Sequence, residues 1–62
     1  MEIQEGQVYK GEDGILIRVM SIKIRLGSQM TAIIKCEIRG DVETYRLPSD
    51  RAEIETWTRV EA

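Results

Sequence analysis

Histidine and phenylalanine are absent from this 62-residue chain, and cysteine, proline and tryptophan occur once each. Without histidine there is no imidazole, the group that serves most often in acid-base catalysis and in metal ligation. Cys36 by itself supplies neither the ligand set of a structural zinc nor an internal disulfide, so no covalent staple holds so small a chain. A lone thiol points to a reducing, cytoplasmic setting. No stretch approaches the roughly 20 apolar residues of a membrane span, and residues 1–7 carry two glutamates and no apolar run, unlike an export signal. The carboxylates come in ones and twos. Neither an enzyme nor a metalloprotein is expected, and no cofactor is implied.

The composition places the chain among compact globules. It is 42% hydrophobic and 32% charged, enough apolar surface to offset ordering entropy, and its length allows a single domain over residues 1–62. The net charge of −2 hides an uneven distribution. Residues 1–14 hold one Lys against four acids, residues 15–39 hold five bases against Glu37, and residues 40–62 hold three Arg against six acids, or −3, +4 and −3.

Turn-forming residues fall at Gly6, Gly11 to Gly14, Gly27-Ser28, Gly40-Asp41 and Pro48-Ser49-Asp50, with β-branched residues and period-two patterns between them. Strands are expected at Gln7–Lys10, Leu16–Leu26, Met30–Arg39, Val42–Leu47 and Trp57–Val60. The third alternates most clearly, with Ala32, Ile34, Cys36 and Ile38 on one face. Reading Gly40-Asp41 as a two-residue hairpin turn pairs Cys36 with Tyr45 and Ile34 with Leu47. Asp50-Arg51-Ala52-Glu53 has capping-box spacing for one helical turn, the alternative being a two-turn helix reaching Val60.

Strands ordered short, long, long, medium, short, with a helical turn before the last, resemble a five-stranded SH3-like barrel. Glu5-Gly6-Gln7-Val8-Tyr9, Ile17-Arg18-Val19, Tyr45-Arg46-Leu47-Pro48 and Trp57-Thr58-Arg59-Val60 together resemble short proteins of phages and bacterial mobile elements. Those share a Gly-Gln-Val-Tyr/Trp start, an Arg-Val strand, a Leu-rich turn and a terminal aromatic strand. The resemblance covers most of the chain and implies the small all-β barrel and a mobile-element origin, with no catalytic residue and no ligand site. Tyr9-Lys10-Gly11-Glu12 is also similar to archaeal chromatin proteins of that fold, which are strongly basic where this chain is not.

Most candidate sites reduce to structure. On the core face Cys36 is a small hydrophobe, Glu37 points away from Glu43 and so makes no metal site with Asp41, and Gly11-Glu12-Asp13-Gly14 is too acidic to cradle phosphate. The second strand is the exception, because it is apolar on both faces. If Gly27-Ser28 is a two-residue turn, Ile22 pairs with Ile33 and Val19 with Cys36. Met20, Ile22, Ile24 and Ile33 are then left outside as an apolar stripe, a candidate protein interface. A bulge or a longer loop would instead turn Ile22 and Ile24 inward. The chain is therefore read as a non-catalytic protein-binding module, an accessory or inhibitor protein that forms a homodimer or occludes a partner protein. The alternative is nucleic-acid binding through Lys23, Arg25, Lys35 and Arg39. A pI near 5.0 and only three aromatics weigh against that alternative.

Overall fold

The computed structural model describes residues 3–60. Five strands and one short helix follow in order: β1 (Val8–Lys10), β2 (Leu16–Arg25), β3 (Thr31–Ile38), β4 (Asp41–Leu47), α1 (Arg51–Ile54) and β5 (Thr58–Arg59). They form one antiparallel sheet in the order β4-β3-β2-β1-β5. The five strands and the helical turn between the last two are those expected. The barrel is not closed. Among the described residues no ladder joins β4 to β5; β5 pairs with β1 through Tyr9 and Lys10. Side chains bridge that gap instead: the Tyr45 ring of β4 meets Trp57, just before β5, edge to face at 5.0 Å.

The strands bury one face. Tyr9, Ile17, Val19, Ile34 and Cys36 form the core with Ile54, which α1 lays across the sheet, and Ile22, Ile38, Tyr45, Leu47 and Trp57 pack around them. Alternation explains the selection, since each buried position is two residues from the next along its strand. The helix ends after one turn: Glu55 and Trp57 donate back to Arg51 and Ile54, and Val60 N–H then reaches Val8 O at 2.9 Å. The two-turn helix to Val60 is not formed.

Three local expectations need correction. In the β3–β4 hairpin the loop is Arg39-Gly40, with Ile38 opposite Asp41, so Tyr45 faces Ile34 and Leu47 faces Ala32. The slip is two residues, which leaves every side chain on its expected face. Both loop residues have positive φ (54° and 82°), the arrangement whose twist matches that of the flanking strands. Arg39 accepts a conformation usually left to Gly or Asn, and alternation on β3 cannot reveal that.

In the β2–β3 pair, Val19 faces Cys36 as expected, but the register shifts by one between Val19 and Ser21. Beyond this bulge Ile22 faces Ile34, Lys23 faces Ile33 and Ile24 faces Ala32, and the last pair is Arg25 with Thr31. The connecting loop is therefore wider than Gly27-Ser28. Burial selects this register: it gives the core side of β3 an isoleucine partner from β2 and sends Lys23 to water.

The third correction concerns Asp50, which makes no side-chain cap on α1. Its Oδ2 accepts the Arg46 N–H at 2.7 Å, while its own N–H donates to Arg46 O. The carboxylate thus seals the outer edge of β4 where the chain turns through Pro48.

Candidate functional site

The bulge sorts the candidate interface residues onto different surfaces. Ile22 is half-buried and packs against the core. Ile24 lies on that same face but beyond the core's end, 64% exposed. Ile33 sits on the opposite face between Lys23 and Arg46, and Met20 is exposed at the bulge. The four do not form one stripe. Instead Ile24 joins two residues that the sequence reading passed over, Leu26 (78% exposed) and Met30 (69%), at the tip of the β2–β3 hairpin. The available signal was a pair of large apolar residues flanking Gly27-Ser28-Gln29, where a solvated turn has no use for them.

Below this tip lies an apolar groove of about 160 Å³, floored by Ile22, Ala32, Ile34 and Leu47 and reached past Ile3 and Ile24. Among the described residues the backbone beside it is paired only in part. On the side of β2 away from β3, Gly6 N–H donates to Val19 O, Val19 N–H donates to Gln7 O, and Glu5 Oε2 accepts the Ile22 N–H at 2.8 Å. Among the described residues no strand pairs with β2 beyond that point.

The outer face of β2, β3 and β4 is basic. Alternation and register put Arg18, Lys23, Arg25, Lys35 and Arg46 there, with Glu37 the one acid among them, 2.8 Å from Arg18 in a cross-strand ion pair. Three of the four candidate phosphate contacts, Lys23, Arg25 and Lys35, are thus brought together. Arg39 is not; it sits in the β3–β4 turn. The aromatics all lie on the other side, Trp57 between Tyr9 (6.3 Å) and Tyr45 (5.0 Å), so this basic face carries no ring for a base to stack on.

A second groove, of about 540 Å³, opens at the opposite end, between the β1–β2 loop, the β3–β4 turn and α1. Its floor includes Ile17, Ile38, Tyr45 and Trp57, and five carboxylates and Arg39 stand around it. The Tyr45 phenol is raised above its ordinary pKa, first by burial and then by the charges of Glu53, Cys36, Glu43 and Asp50, of which Glu53 and Glu43 stand at the groove. Cys36, fully enclosed, is pushed up to about 11 by burial, the behaviour of an inert core thiol. No helix among the described residues is long and apolar enough to cross a membrane. No family model, curated protein or solved structure matches the chain.

Proposed function

We propose that the protein is a non-catalytic binding module that self-associates through the apolar tip of its β2–β3 hairpin and the open edge of β2. The strand order, with β5 returning to β1 behind a helical turn, supports reading the open sheet as an SH3-like arrangement. The observation that carries the function is the surface formed by Ile24, Leu26 and Met30 above an apolar groove. Two copies related by a two-fold axis, β2 against β2, would cover six such side chains. At roughly 1.5–3 kcal/mol for a fully exposed residue, reduced for their partial exposure, that is about 6–13 kcal/mol before association entropy is charged. The same pairing satisfies backbone groups that a partner lacking an edge strand would leave open.

Sedimentation equilibrium tests this reading. Wild type is expected to be dimeric at micromolar concentration, and Ile24→Glu combined with Leu26→Glu to be monomeric with an unchanged circular dichroism spectrum, because neither side chain belongs to the core. A monomeric wild type, or a variant that still dimerises, refutes it.

The gathering of Lys23, Arg25, Lys35 and Arg46 on one face favours a second reading, sequence-independent binding of nucleic-acid phosphates. If it holds, affinity falls steeply with salt, by close to one counterion per contact, and is lost in Lys23→Glu with Lys35→Glu.

A further inference from the structure

The larger groove has no part in either reading. Glu12 and Asp13 come from the β1–β2 loop, Asp41 and Glu43 from the start of β4, and Glu53 from α1. Among the described residues, three separate segments thus place five carboxylates around one opening against one cation, Arg39. Asp13 is committed to its own turn, its Oδ1 accepting the Ile15 N–H at 3.0 Å. The others are exposed, and none of the five takes part in an ion pair among the described residues, where Arg18–Glu37 is the pair formed.

Such a concentration of one sign opposes folding by self-repulsion, and a cation entering the groove relieves it. The floor restricts what that cation is. Half-buried Trp57 and Tyr45, with Ile38, offer ring and aliphatic surface suited to the methylene stem and charged head of a long basic side chain. A bare metal ion fits poorly: among the described residues no three acidic, cysteine or histidine side chains converge closely enough to hold one. At about 540 Å³ the groove lies within the roughly 300–1,000 Å³ range of ligand clefts, more than one side chain needs.

From this we infer that the groove between the β1–β2 loop, the β3–β4 turn and α1 docks an arginine- or lysine-bearing segment of a partner protein. The basic side chain lies over Trp57 and Tyr45, its charge shared among Glu12, Glu43 and Glu53. The site lies at the opposite end of the molecule from the hairpin tip, so a dimer formed there presents two such grooves.

The single tryptophan makes the test direct. A capped peptide alternating arginine and glycine is titrated against the full chain while Trp57 emission is followed, with the same peptide carrying citrulline for arginine as the neutral, near-isosteric control. A saturable change is expected with the arginine peptide, weakening as salt is raised, and little with citrulline. Glu43→Gln combined with Glu53→Gln should weaken binding about tenfold, the loss of two partly exposed charge contacts. Glu55→Gln, an acid outside the groove, should leave it unchanged. Since the readout sits in the groove, a monomeric wild type would overturn the self-association reading and leave this result intact. Absence of a saturable response to the arginine peptide, equal binding of the citrulline peptide, or equal binding by the Glu43/Glu53 and Glu55 variants would each overturn the inference.

Discussion

Ile22→Glu and Ile33→Glu are chemically the same substitution at residues that an unbroken β2–β3 ladder would place opposite one another, both facing water. The bulge separates them. Ile22 packs against the core beside Ile34, so its replacement forfeits about 1–2 kcal/mol for a half-buried isoleucine. It also turns a carboxylate toward an apolar wall, at a further cost of about 1–3 kcal/mol. Against the roughly 3–5 kcal/mol that a core of this size supplies, the sum of about 2–5 kcal/mol leaves Ile22→Glu largely unfolded. Ile33 stands on the outer face with Lys23 opposite on one side and Arg46 on the other. Ile33 is 38% exposed, so a glutamate there also forfeits about 1–2 kcal/mol of apolar burial, but it faces no apolar wall and gains two cross-strand charge pairs of about 0.2–1 kcal/mol each, for a net loss of at most about 1.6 kcal/mol. Urea denaturation followed by Trp57 fluorescence reads both variants. Midpoints for Ile22→Glu and Ile33→Glu that agree, or a more stable Ile22→Glu, would show that β2 runs straight through Met20 and that the register described here is wrong.

Two further outcomes follow from single side chains. Cys36 should resist thiol reagents at neutral pH and react only as the chain unfolds. With the thiol at about 11 in the fold against 9.0 for an unperturbed one, the folded state holds its proton more tightly. The associated stability is complete below pH 9 and lost as pH rises toward 11, by about 2–3 kcal/mol, and the raised Tyr45 acts in the same direction. Thermal melts across that range check the sign, and a melting temperature that rises with pH refutes it. Arg39→Asn places Asn-Gly in a loop whose two residues both have positive φ, and should stabilise the hairpin by about 0.5–1 kcal/mol in the same urea assay, whereas Gly40→Val should destabilise it.

How much of this was legible depends on what each residue's neighbours in sequence can specify. Alternation along Thr31–Ile38 fixed which of its side chains turn inward, and glycines and Pro48 marked the strand ends, because both signals arise from local backbone geometry. Face assignment even survived the wrong hairpin turn, since a slip of two restores the same side. Registers were less secure. Gly40-Asp41 and Arg39-Gly40 are both plausible loops, and the choice rests on how β3 and β4 twist together. Asp50 had the spacing of a cap, yet was taken by the Arg46 N–H that the turn through Pro48 brings within reach.

Local sequence signals were enough for the class of this protein: mostly β, five strands, a helical turn before the last strand and a core built on Ile17, Val19, Ile34 and Cys36. Where β2 changes face was left to packing in three dimensions, because its residues are apolar on both sides and no local pattern prefers one. That decision moved Ile22 into the packing and left Ile24, Leu26 and Met30 at the exposed tip. Tertiary structure alone also separated the charges. Carboxylates at positions 12, 41, 43 and 53 are scattered along the chain and reach one groove only because the β1–β2 loop, the start of β4 and α1 meet there, while the bases of β2, β3 and β4 share the other face by register. A net charge of −2 records the sum and nothing of that division.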